Sequence, residues 1–189
     1  QEIVRRYYTA LSKLALGACN ENEVTKLKLL FKQAKIDTDY RKCTIAAKTR
    51  QEETGVPCSA IELEDGNIIT ASSSPLLGTC ASLLLNATKH LAGIDHSIKL
   101  ISQDLIEPIQ KTKTEYLGGH NPRLHTDEVL VALSVLSQND ANCRRALAML
   151  PLLKGCQAHS TVMISEVDQK IFKKLGIGLT CDPVQKETL

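Results

Sequence analysis

The sequence predicts an α/β (α+β) fold, in which a helical N-terminal layer precedes a domain built on a mixed sheet. Three observations carry this reading. Residues 1–54 read as wholly helical, with apolar side chains at helical spacing. At Pro57 the character changes: Cys58 to Leu63 and Asn67 to Ala71 are short β-prone runs joined by Glu64-Asp65-Gly66, a hairpin signal. Near the end, strand, helix and strand patterns follow one another between Thr161 and Cys181, the spacing of a parallel crossover.

The first helix carries Val4, Tyr7, Tyr8, Leu11, Leu14 and Ala15 on one face and runs to about Leu16, where Gly17 offers a left-handed stop. Asn20 with Glu23 has the form of a capping pair, and Val24, Leu27, Phe31 and Ala34 mark the next apolar stripe. The basic residues Lys26, Lys28, Lys32 and Lys35 are expected on its solvated face. Thr38 or Asp39 can cap a third helix carrying Tyr40, Cys43 and Ala47, which ends at Gly55-Val56-Pro57. Residues 1–56 thus form a helical subdomain, either a small bundle or a flanking layer.

Residues 57–184 form the α/β subdomain, with a helical insertion over 102–150 and a tail at 185–189. After the hairpin, Pro75 suits the first turn of a helix that presents Leu76, Leu77, Cys80, Leu83, Leu84, Ala87 and Leu91 and is deeply buried before Gly93. Ser97 to Ile101 reads as a strand, and a helix is expected from Glu107-Pro108 to Gly118-Gly119. Val129 to Leu136 is apolar on nearly all sides, which favours a core helix. A short helix over Asn142 to Leu150 stops before Pro151. Thr161 to Ser165 is then a strand, Val167 to Lys174 a helix, and Ile177 to Cys181 the last strand.

Composition narrows the function classes. With 189 residues, 43% hydrophobic and 23% charged, the chain suits a globular protein with a real core. A net charge of +2 is too slight to imply a nucleic acid or an anionic membrane as partner, and four Tyr, two Phe and no Trp offer little for base stacking. Seven cysteines, an odd number without a C-x-x-C, suit reduced thiols and a cytoplasmic home. No apolar run approaches the ~20 residues needed to cross a bilayer. Gln1 opens directly into helical periodicity, and the only methionines are Met149 and Met163, so the segment is expected to belong to a longer chain. The phosphate-loop, dinucleotide, H-E-x-x-H, G-x-S-x-G and zinc-deaminase signatures are all missing.

Two polar stretches hold the candidate residues. In the first, Gly118 to Glu128, a glycine pair precedes His120, Asn121, Arg123 and His125. Thr126, Asp127 and Glu128 are explained by capping of the following helix, whereas His120, Arg123 and His125 are not. Arg123, His120 and Asn121 are therefore candidate ligand contacts, together with Ser74 of the Ser72-Ser73-Ser74 run, which either caps the next helix or holds a phosphate or carboxylate. The second stretch, Gly155 to Thr161, contains Cys156 and His159, readable as nucleophile and base or as two metal ligands, though Cys-x-x-His alone is unspecific. His125 and His159 are the catalytic candidates, and no metal is assigned. The loop 119–125 is expected to lie close to His159 in one polar pocket at an edge of the sheet.

Several strings point to one family: QEIVRRYY, SSPLLG, LIEPIQ, NPRLHTDEVLVALS, LKGCQAHSTVMIS and FKKLGIGLTCDPV. From Gln1 to about Val184 the chain resembles the C-terminal portion of a bacterial domain-of-unknown-function family, number 1846, also called uncharacterised protein family 0371. The resemblance implies a chain about twice to three times this length, with an upstream Gly-Pro-Gly-Ser-Gly-Lys stretch that makes a nucleotide the expected cofactor of the full-length protein; none is expected in this segment. It also implies a helical insert and an α/β subdomain of cytidine-deaminase-like topology, without the deaminase zinc ligands. It supplies no catalytic residues.

Two functions follow. In one, His120, Arg123, His125 and His159 line an anion- or substrate-binding pocket of an enzyme completed by the N-terminal half. In the other, the segment is a structural or oligomerising module that packs on that half and on itself. A metal site built from His120, His125, Cys156 and His159 is a third, weaker reading.

Overall fold

The computed structural model describes residues 2–18, 20–36 and 40–184. Helices α1 (Glu2–Ala15), α2 (Glu21–Ala34) and α3 (Lys42–Thr54) come first, followed by the hairpin β1 (Cys58–Glu62) and β2 (Ile68–Ser72). Then come α4 (Thr79–Leu91), α5 (Gln103–Lys111), α6 (Thr126–Leu136) and α7 (Ala141–Ala148). The chain closes with β3 (Gln157–Ser160), α8 (Glu166–Lys174) and β4 (Gly178–Cys181). The four strands make one mixed sheet in the order β2-β1-β3-β4. β1 is antiparallel to both β2 and β3, and the crossover through α8 makes β3 and β4 parallel, as the strand–helix–strand spacing predicts.

The two faces of the sheet are covered differently. One is packed by α3, where Cys43 and Ala47 close on Ala60, and by α1, whose Tyr8 ring lies 4.7 Å from that of His159. α1 and α2 share a small apolar seam of Val4, Tyr8 and Phe31, so these helices form a layer on the sheet. The other face receives α4 and α8: Leu83, Leu84 and Phe172 pack against Ile61 and Ala158. The back of α4 carries a second core, in which Ala81 and Leu85 meet Ile106, Val129, Leu133 and Ala146 of α5, α6 and α7. A helix buried on both sides must be apolar around most of its girth, which is the reason for the Leu- and Ala-rich sequence of α4.

Several boundaries differ from the sequence expectation. α4 begins at Thr79 rather than Pro75. The Ser74 hydroxyl accepts the N–H groups of Leu76 and Leu77, and Leu77 forms a parallel bridge with Leu124, so this stretch ties down the 121–125 loop. Ser97 to Ile101 is not a strand. Lys89 Nζ takes the carbonyls of His96 and Ile98, and Asp95 caps Ser97, so the backbone groups are spent on side chains. α5 starts at Gln103, with Pro108 inside it, and continues into a π-helical turn, Thr112–Tyr116. β3 ends where Thr161 to Ser165 was expected to begin: Gln157, Ala158, His159 and Ser160 are the strand. α6 is not enclosed: Val129 and Leu133 are buried, while Val131 and Val135 are 66% and 67% exposed. The proposed caps Thr38 and Asp39 and the tail 185–189 lie outside the described residues, as does Cys19. No helix among the described residues is long and apolar enough to cross a membrane.

Candidate functional site

Four of the six singled-out residues meet in one corner. Leu124 is fully buried and bridged to Leu77, which places its neighbours Arg123 and His125 on the opposite side of a locally extended segment. The Asn121 carboxamide oxygen accepts the Arg123 N–H at 3.1 Å, and Arg123 Nε donates to the Ser74 carbonyl at 2.9 Å. The terminal guanidinium nitrogens have no partner among the described residues. Lys113 Nζ donates to the Arg123 carbonyl and to Glu128, and Glu128 accepts the His125 N–H at 2.7 Å, closing a capping box at the start of α6.

His125 is oriented by a residue that the sequence reading did not single out. Its Nδ1 lies 3.1 Å from Asp168 Oδ2 and 3.3 Å from the Ser165 hydroxyl. Asp168 sits in the first turn of α8 and is 3% exposed. It also accepts from the backbone N–H and hydroxyl of Thr126, at the first turn of α6, and from Ser165, the N-cap of α8. The carboxylate thus joins the N-termini of two helices, both of which favour negative charge. Burial alone would raise its pKa, but the hydrogen bonds from His125, Thr126 and Ser165 outweigh it and lower the value to about 2. An ionised Asp168 only accepts, so the His125 proton is assigned to Nδ1 and the Nε2 lone pair stays available. No partner for Nε2 stands among the described residues. Ser165 lies on the Nδ1 side, so it is not placed as a nucleophile for this histidine.

His159 is not part of this corner. Successive residues of a strand point to opposite faces, and Ala158 packs against Phe172 on the α4–α8 side. His159, fully buried, therefore turns to the α1–α3 side, and the pocket expected to be shared with loop 119–125 does not form. There Nδ1 bonds the Thr180 hydroxyl at 2.9 Å, while Nε2 is 3.6 Å from Asp182 and makes no hydrogen bond. Arg41, also fully buried, donates to the Thr180 hydroxyl, Gln157 and the carbonyls of Ala158 and Gly178, bolting the start of α3 to β3 and β4. Burial lowers the pKa of both Arg41 and His159, so the imidazole is held toward its neutral form. Cys156 belongs to the other face with Ala158, which separates it from His159; burial raises its thiol pKa. His120 is exposed. The proposed His120, His125, Cys156 and His159 set is not assembled, and among the described residues no three His, Cys, Asp or Glu side chains are grouped to hold a metal.

Asp168 was legible in principle. Ser165-Glu166-Val167-Asp168 has the spacing of a capping box, with the acid three residues after the cap. Nothing local pointed from Asp168 to His125, 43 residues earlier.

A mixed-sheet α/β domain whose polar corner joins two helix N-termini through a buried carboxylate and a half-buried imidazole is the class defined by fold and site. The chain belongs to domain-of-unknown-function family DUF1846, whose C-terminal model it matches over residues 39–189. It is 47% identical over 184 residues to a UPF0371 protein of Corynebacterium aurimucosum and 42% identical over 183 residues to the UPF0371 protein str1377 of Streptococcus thermophilus. In both comparisons 97% of this chain is covered, and the chain spans 37% of the relative's length.

Proposed function

We propose that this chain supplies an anion- or substrate-binding corner to an enzyme whose remaining parts lie elsewhere in a longer, cytoplasmic protein, with a nucleotide as that protein's cofactor. The observation that supports it is the pairing of two unspent groups on one side of the 121–125 segment: the terminal nitrogens of Arg123 and Nε2 of His125. Arg123 offers a planar, permanently charged fork for a phosphate or carboxylate. Asp168 holds the His125 ring so that Nε2 can take a proton from a bound molecule, and the same carboxylate stabilises the imidazolium that forms. Asn121 and Ser74 position Arg123, and the bonds they make to it leave its fork free.

The test is calorimetric titration of the full-length protein with inorganic phosphate, a nucleoside triphosphate and succinate. Arg123→Ala is expected to weaken the ligand that binds by roughly 1.5–3 kcal/mol, the loss of a charge-assisted hydrogen bond. Unchanged affinity for all three in this variant would refute the reading.

A second reading, an oligomerising module, draws on a separate feature. Val131 and Val135 project from α6 at 66% and 67% exposure, one turn apart on the same helix face. Such apolar surface is suited to contact with the rest of the longer protein or a second copy.

A further inference from the structure

Away from the Arg123–His125 corner, α4 presents Ser82, Leu85, Asn86 and Lys89 along one face, at positions i, i+3, i+4 and i+7. That face looks toward β2, the edge strand of the sheet, and toward the irregular segment 94–102 and the start of α5. Two grooves, of about 290 and 380 Å³, meet there and share Asn86, Lys89 and His96 as walls.

Lys89 is the unusual member. A lysine at 8% exposure is rare without a carboxylate against it, and no salt bridge to Lys89 occurs among the described residues. Its ammonium donates to the carbonyls of His96 at 2.9 Å and Ile98 at 3.2 Å, which leaves its third hydrogen unspent on the described residues. One oxygen of the neighbouring Asp95 carboxylate, Oδ1, accepts from both the backbone N–H and the hydroxyl of Ser97, and Asp95 makes no salt bridge with Lys89. Burial accordingly lowers the lysine's pKa, only partly countered by Asp95.

The rest of the lining has the same sign. Lys99 and His96 stand on the loop side, and the Ser82 hydroxyl makes no hydrogen bond with a described residue. No aspartate or glutamate side chain is among the described residues lining either groove. The smaller groove also has an apolar wall of Leu85, Leu100 and Ile106, all buried. A purely structural lysine would explain the two carbonyl contacts. It would not explain hydroxyl, ammonium and imidazole groups converging on an apolar-walled groove devoid of acids.

We propose that this groove binds a small amphipathic organic anion, with its phosphate or carboxylate head on Lys89, Lys99 and Ser82 and its apolar body against Leu85, Leu100 and Ile106. Such a head would use the remaining Lys89 hydrogen and give a buried charge, held so far by two carbonyls, an anionic partner in direct contact. The head and body contacts differ from those of the Arg123 fork, but Ser74, whose carbonyl holds Arg123 Nε, also lines this groove.

The test is calorimetric titration of the full-length protein with hexyl phosphate and hexanoate, against hexanol and hexylamine as neutral and cationic controls. At least one anion is expected to bind roughly tenfold or more tightly than either control, the effect of one charge-assisted hydrogen bond. Preference for hexyl phosphate assigns a phosphoryl head, and preference for hexanoate a carboxylate. With the Arg123 fork removed by Arg123→Ala in every protein compared, Lys89→Met is expected to remove this difference, and Lys99→Ala and Ser82→Val to reduce it several-fold. If Lys89→Met fails to fold because its two loop carbonyls lose their donor, the Lys99 and Ser82 variants decide. Hexanol binding as well as the anions, no anion binding at millimolar concentration, or wild-type affinity in both the Lys99 and Ser82 variants would each overturn the proposal.

Discussion

Two buried titratable residues, on opposite faces of the sheet, make stability depend on pH in the same direction. The Asp168 pKa is lowered from 3.8 to about 2, so the folded state holds its proton less tightly than the unfolded chain. Its contribution, about 2 kcal/mol, is fully present above the unfolded value and is lost as pH falls through the folded one. His159 is also depressed, below 6.5: burial disfavours its charged form, Arg41 and Lys48 add to this, and Asp182 works against it. Tyr8 closes the same space from α1. The unfolded chain takes up the His159 proton first, so stability begins to fall at higher pH than for Asp168. Urea unfolding measured from pH 7 downward should therefore show two segments of declining stability. His159→Gln is expected to flatten the upper one and Asp168→Asn the lower one. Unchanged slopes in both variants would contradict these burial and hydrogen-bond assignments.

At the scale of elements, the β1–β2 hairpin is the clearest local design. Leu63 and Asn67 bracket a turn in which the Asp65 carboxylate accepts the Asn67 N–H at 2.9 Å, and the Gly66 N–H returns to the Leu63 carbonyl at 3.0 Å. Gly66 has φ +83°, in the region that side chains disfavour, and a Cβ placed there would meet nothing within 4 Å. Any cost of substitution is therefore conformational rather than steric crowding from neighbours. Gly66→Ala should destabilise the protein by roughly 1–2 kcal/mol, and Gly66→Asn by less, since asparagine tolerates this region better. Equilibrium denaturation gives both values directly; equal stability of all three proteins would mean that the turn adopts another backbone.

For the whole molecule, the surface of α6 is the feature that the fold leaves open. Val131 and Val135 stand on the outer side of the helix whose inner residues, Val129 and Leu133, are buried against α4, α5 and α7. If this face joins copies or packs against other parts of the longer protein, the isolated chain should self-associate at high concentration. Val131→Lys with Val135→Glu should return it to a monomer without loss of thermal stability, because neither side chain supports the core. Sedimentation velocity distinguishes the cases, and a wild-type chain that stays monomeric at high concentration would count against the oligomerising reading.

The elements written in local pattern were readable from the amino acids alone. The hairpin follows from β-prone runs around Asp65-Gly66, the burial of α4 from its continuous Leu, Ala and Cys faces, and the parallel pair β3–β4 from the spacing that encloses α8. Arg123 and His125 were likewise visible as polar residues that capping alone did not explain. Long-range pairing decided the rest. β3 was displaced by a few residues because its polar members are His159, fully buried against Tyr8, and Gln157, half-buried and bonded by Arg41, an arrangement that no alternation of apolar residues announces. Ser97 to Ile101 lost its strand to a lysine eight residues upstream of Ser97, whose ammonium occupies the carbonyls that a ladder would use. The separation of His125 from His159 likewise follows from the sheet: one residue's difference along β3 sends a side chain to the opposite face, and only the completed tertiary structure sets that register.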